Sequence, residues 1–201
     1  RDLSLDVNYS VTSSLRASAS INTDFAEVES DQRRVNLTRF SLRFPERRAF
    51  FLEGSGVFSF APRSGPTPFY SRHIGLNEGQ QIPIEYGTRL TGQAGQYELG
   101  FYQIRTGEHT FFDEGDEADL TVPRESFTVA RVKRRIFEQS TIGAIYTRRS
   151  TSADPSGFVP EIGHTAGVDM AFNTRHFLGD NNFEMEAFAV WNSNPEPTVD
   201  R

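Results

Sequence analysis

Apolar and polar residues change places at every second position through much of this chain. In 3–11 (LSLDVNYSV), Leu3, Leu5, Val7, Tyr9 and Val11 alternate with Ser4, Asp6, Asn8 and Ser10. In 166–173 (AGVDMAFN), Ala166, Val168, Met170 and Phe172 alternate with Gly167, Asp169, Ala171 and Asn173. Successive side chains of a β-strand point to opposite faces, so each such segment has one apolar and one polar side. Strands are predicted near 3–11, 15–25, 35–44, 49–60, 83–92, 97–105, 126–135, 140–149, 164–174 and 182–192. Segments of about ten residues suit tilted strands that cross a bilayer.

The connectors alternate in length. Short ones fall at 12–14, 45–48, 93–96, 136–139 and 175–181, and longer ones at 26–34, 61–82, 106–125 and 150–163. The longer ones carry loop chemistry: Pro62, Gly65, Pro66, Pro68, Gly75 and Gly79 in one, Pro155, Gly157, Pro160 and Gly163 in another. Brief turns at one end and long loops at the other are the rhythm of outer-membrane barrels. The predicted fold is all-β, an antiparallel up-and-down transmembrane β-barrel. The pattern opens inside a strand and ends after Pro195 and Pro197 without a closing strand. We therefore expect a single β-barrel region over 1–201 that forms part of a larger barrel in a longer chain.

Parity assigns the faces. Leu15, Ala17, Ala19 and Ile21 are expected to meet lipid, and Arg16, Ser18, Ser20 and Asn22 the lumen. Arg16, Arg39, Arg43, Arg89, Asp169, Glu184 and Glu186 become the lumen candidates, either a set of fixed charges that filter or bind a polar ligand or groups that only hydrogen-bond one another and plug the interior. Tyr9, Phe25, Tyr86, Tyr97, Phe127, Phe183 and Trp191 lie toward span ends, as an interfacial girdle requires. One segment fits poorly. In 126–135, Phe127 and Val129 share a face with Arg131 and Lys133, which calls for a bulge near Ala130, or for a strand above the membrane or misassigned.

Composition adjusts this picture little. A two-faced barrel strand is apolar on alternate residues only, so a negative mean hydropathy does not conflict with it. The net charge of −6 argues against a nucleic-acid partner, which would show a basic face. Cysteine is absent, and Lys133 is the single lysine among otherwise arginine basic residues. Glu27, Glu29 and Asp31 share a strand face and could offer oxygen ligands to calcium, although neither they nor the run 113–119 (DEGDEAD) has the spacing of a calcium loop. Solvated acids that end a span are the plainer reading. His73, His109, His164 and His176 are isolated, and Gly54-Ser55-Gly56 lacks the spacing of a nucleophile elbow.

The block 35–54 (VNLTRFSLRFPERRAFFLEG) is the most distinctive stretch. It reads as a tight hairpin whose arginines pair with Glu46, Glu53 or lumen acids, or as an arginine cluster for an anionic or sugar ligand. Together with 24–31 (DFAEVESD), 69–75 (FYSRHIG) and 83–100 (PIEYGTRLTGQAGQYELG), it resembles an uncharacterised family of large bacterial envelope proteins. Members typically carry an N-terminal family-nine-like carbohydrate-binding module before a region expected to be an outer-membrane barrel, and some are labelled hydrolases. This chain departs from the family at Asn22-Thr23, where Asn-Pro is usual, and at His73, where a second arginine is usual. The module itself is not in this sequence.

The resemblance and the alternation together imply a protein of the bacterial outer membrane, in contact with its lipid. Its expected role is passage, docking or display of a ligand, with saccharide as the class the family suggests. A secreted carbohydrate-active hydrolase or soluble carbohydrate-binding β-protein is the alternative. It requires both strand faces to be covered by protein or water, and we expect no hydrolysis. A third reading makes loops 106–125 and 150–163 contacts of a surface scaffold.

Overall fold

The computed structural model describes residues 4–23, 45–61, 65–77, 80–113, 118–152 and 162–193. The chain runs through β1 (Leu5–Ser10) and β2 (Leu15–Thr23), then a short helix α1 (Ala49–Leu52) and single 3-10 turns at Ser55–Phe58 and Ser71–His73. There follow β3 (Leu76–Asn77), β4 (Gln80–Gln81), β5 (Ile84–Ala94), β6 (Tyr97–Thr106), β7 (His109–Asp113) and β8 (Ala118–Val122). Four long strands complete it: β9 (Glu125–Ile136), β10 (Ser140–Thr151), β11 (Ile162–Phe177) and β12 (Asn181–Ser193).

Eight strands form one sheet in the order β1-β2-β5-β6-β9-β10-β11-β12, and every neighbouring pair is antiparallel. The fold is all-β and antiparallel, with an up-and-down order. Among the described residues the sheet is open, since β1 pairs only with β2 and β12 only with β11. β3-β4 and β7-β8 are separate two-stranded hairpins, so the expected loop 106–125 contains paired strands.

Two expectations are corrected. Residues 49–60 are not a strand, and 45–48 is not a turn between strands. Phe50, Phe51 and Leu52 are consecutive and enter α1, and Gly54 at φ 72° turns the chain into the 3-10 segment. The predicted strand 35–44 lies outside the described residues. Nor is there a bulge at Ala130: β9 keeps unbroken register with β6 and β10 from Ser126 to Arg134. Phe127, Val129, Arg131 and Lys133 do share one face, because that face meets both rings and backbone carbonyls of the 45–61 segment.

The two faces differ sharply. One row across the sheet reads Tyr9, Ala17, Leu90, Phe101, Ala130, Tyr146, Ala166 and Trp191. The adjoining row on the same face reads Leu15, Gly92, Leu99, Val132, Ala144, Val168 and Ala189. Nothing described covers this apolar face: Tyr9, Trp191, Ile142 and Val168 are all exposed. The opposite face contains the row Asn8, Ser18, Arg89, Tyr102, Val129, Thr147, Thr165 and Asn192. Its central strands lie under the insert 45–76. Phe51, Phe58 and Ile74 of the insert pack with Ile84, Tyr102, Ile104, Phe127 and Val129 of the wall. Phe127 is therefore a core residue, not part of a girdle. Wall glycines receive the insert's rings: a Cβ at Gly100 would lie 2.7 Å from the Phe58 ring, and one at Gly167 would lie 2.7 Å from the Phe60 ring.

The short turns step in one direction along the sheet. The register row through Leu15, where β2 begins, meets β5 at Gly92, two residues before its end at Ala94. It meets β9 at Val132, four residues before Ile136, and β11 at Val168, nine residues before Phe177. With a rise of about 3.3 Å per residue and about 4.8 Å between strands, the line of turns from β2 to β11 is inclined by roughly 50° to the hydrogen-bonding direction.

Candidate functional site

The insert is fastened to the polar face by ionised side chains. Arg89 on β5 is buried and donates from Nη1 to the Phe50 carbonyl at 2.5 Å, from Nη2 to Ser18 Oγ at 3.0 Å, and to the Glu53 carboxylate. Arg16 on β2 donates to the other Glu53 oxygen. Arg131 on β9 repeats the arrangement further along the wall. It donates to both Asp169 oxygens at 2.6 and 2.7 Å and to the Ser59 carbonyl at 2.9 Å. Each buried arginine also lies 5.3 Å from the centroid of an insert ring, Phe50 for Arg89 and Phe60 for Arg131. Lys133 adds bonds to the Gly56 carbonyl and Ser59 Oγ, at 3.2 and 2.9 Å.

A third group joins the two ends of the insert. Glu46 accepts from Arg48 Nε and Nη2 at 2.9 and 2.8 Å and from Ser71 Oγ at 2.6 Å. Arg48 also donates to the Ile74 and Ser71 carbonyls, and Arg72 to the Pro45 carbonyl. Burial alone would raise the Glu46 pKa, but the hydrogen bonds from Arg48 and Ser71 and the guanidinium charge outweigh it and hold the carboxyl at about 2. Glu53 is likewise held below its ordinary value: desolvation raises it, but the hydrogen bonds and charges of Arg89 and then Arg16 together outweigh that.

The sequence-derived candidates therefore separate. Arg16 and Arg89 converge on Glu53, and Asp169 is the partner of Arg131. These residues anchor the insert, and each of the five is engaged in an ion pair. Glu184 and Glu186 are exposed on β12 and join neither group. Arg39, Arg43, Glu27, Glu29 and Asp31 lie outside the described residues, and the calcium expectation lies outside with the last three. Sequence reasoning missed Arg131 as a site residue although its misplaced parity was the signal. It also missed Glu125, which pairs with Arg149.

Beside these anchors, on the same face, lies a cavity of about 660 Å³ between the 68–76 stretch and strands β9 to β11. Its walls combine Phe69, Tyr70 and His73 from the insert with Phe127, Thr147, Arg149 and Thr165 from the sheet. Tyr70 and His73 meet edge to face with centroids 5.0 Å apart. A cavity of this size with rings on one side and hydroxyl and guanidinium donors on the other can hold a small polar ligand with an apolar face.

No curated protein and no solved structure matches the chain. Residues 2–96 match a sequence family described as "Domain of unknown function (DUF5916)", a stretch that takes in β1, β2, the insert and β5.

Proposed function

We propose that this chain is a section of wall from a bacterial outer-membrane β-barrel, with the 45–76 insert lying against its interior, and that it takes part in passage or docking of a saccharide. One observation carries the reading: the uncovered face of the eight-stranded sheet is apolar in row after row, whereas the covered face bears the charges. The covered face also holds the core under the insert, so the sheet has a second apolar face left uncovered, where a sheet in water would be polar. In hydrocarbon an apolar exterior is required, and the backbone must be paired throughout, so the sheet is expected to close with further strands.

The step of the turns supports this reading independently. If the short turns lie in one plane parallel to a membrane, the strands tilt by roughly 50°, a strong tilt just above the 35–45° of closed barrels. The short turns then face the periplasm, and the insert arises from a connection at the opposite end. The saccharide part rests on the cavity, where sugar ring faces can stack on Phe69 or Tyr70 and hydroxyls can meet Thr147, Arg149 and Thr165.

Extraction tests the architecture. The chain expressed behind an outer-membrane export signal should leave membranes only with detergent and migrate differently on gels before and after boiling. Recovery in buffer as a monodisperse species would favour the soluble carbohydrate-binding alternative. For the ligand, oligosaccharide binding to detergent-solubilised protein should weaken on Thr147→Val and Thr165→Val; unchanged binding would remove the cavity from the account.

A further inference from the structure

On the apolar face the long-connector end carries a compact basic group. Arg105 on β6 and Arg124, just before β9, both reach Glu85, with N···O distances of 3.3 and 3.0 Å. Register places Arg148 on the same face, between Thr128 of β9 and His164 of β11. The Arg148 side chain makes no hydrogen bond or ion pair among the described residues. His164 Nδ1 bonds the Tyr146 hydroxyl at 2.8 Å, and Tyr146 belongs to the first fully apolar row below. Two arginines thus share one carboxylate at the rim of the apolar band, and a third, Arg148, stands on the same face two strands along. The outer-face arginine of the opposite end, Arg134, lies 5.5 Å from the Tyr97 ring instead.

We infer that this rim binds the phosphate of a lipid headgroup in the leaflet on the long-connector side. The inference rests on the barrel reading, because it needs the apolar rows below Arg148 to lie among acyl chains. The charge is complementary, and among the described residues no acid pairs with Arg148. An arginine fork matches phosphate oxygens in geometry as well as charge. Arg105 and Arg148 are two strands and two residues apart in register, about 12 Å between Cα atoms, so one large headgroup can touch both.

The test is binding of bis-phosphorylated lipid A to the full chain in detergent micelles, followed by native mass spectrometry. Arg148→Gln should lower the affinity about tenfold, and Arg105→Gln in addition should lower it further, since each removes a charge-assisted contact. Arg134→Gln should bind as wild type. Lipid A stripped of phosphate should bind no better than the double variant, and excess inorganic phosphate should not displace the phosphorylated form. Wild-type binding by Arg148→Gln, with heat-modifiable migration intact, would overturn the inference and leave the barrel standing. Displacement by inorganic phosphate would show a free-anion site instead and also overturn it. Failure of the barrel reading shows separately, as wild-type protein that stays in solution without detergent.

Discussion

Arg131 and Asp169 meet across an intervening strand. They belong to β9 and β11, and the guanidinium passes over Gly143 of β10 to donate to both carboxylate oxygens at 2.6 and 2.7 Å. A Cβ at position 143 would lie 2.8 Å from Arg131 Nη1 and 2.9 Å from Asp169 Oδ1. Arg131 is 1% exposed, so removing its acid strands a buried cation. Asp169→Ala is expected to destabilise the fold by about 3–5 kcal/mol. The double variant Arg131→Met, Asp169→Leu should recover much of that, because no uncompensated charge remains. Denaturant unfolding of the detergent-solubilised protein measures both.

Acid should loosen the insert. The Glu46 pKa is depressed from 4.5 to about 2, so its contribution to stability is fully present above 4.5 and disappears as pH falls toward 2. The shift corresponds to about 3 kcal/mol at most. The near-ultraviolet signal of the Phe51–Tyr102 cluster should therefore fade over that interval. Glu46→Gln should be less stable than wild type at neutral pH and should show a weaker dependence on acid. Equal acid profiles for the two proteins would contradict the assignment.

The wall glycines should resist enlargement. Gly100→Val forces the Phe58 ring from its seat and is expected to cost about 1–3 kcal/mol by overpacking. At Gly56 a Cβ would meet nothing within 4 Å, so Gly56→Ala should be far milder. Thermal denaturation distinguishes the pair.

Most of the wall was legible because a period of two needs only neighbouring residues. Leu15 to Ile21 and Ala166 to Phe172 announce both their strands and their faces. The insert was not legible for the same reason. Phe58 and Phe60 alternate with polar or small neighbours as strand residues would, while the signals against a strand, adjacent Phe50 and Phe51 and the left-handed Gly54, concern local backbone geometry. The anchors were half legible. Arg16, Arg89 and Asp169 stand on polar-face positions, but their partners lie 37, 36 and 38 residues away. Arg131 and Lys133 looked like a parity fault because a strand in isolation does not reveal that carbonyls of another segment will cover its polar half.

A charge placed in the apolar rows should be costly. Val168 lies in the middle of a strand on the uncovered face. Val168→Arg is expected to destabilise the protein by about 2–4 kcal/mol if that row lies near a bilayer midplane. In a sheet facing water, the same exposed position would tolerate arginine within about 0.5 kcal/mol. Folding into lipid vesicles at graded urea concentrations provides the comparison.

Trp191 offers the most direct measurement. It is the single tryptophan of this sequence and stands 61% exposed in the same row as Tyr9 and Tyr146. In reconstituted vesicles its emission should be quenched by lipids brominated on the upper acyl chain and poorly by iodide in the aqueous phase. Quenching by iodide with no response to brominated lipid would place this face in water and contradict the outer-membrane account.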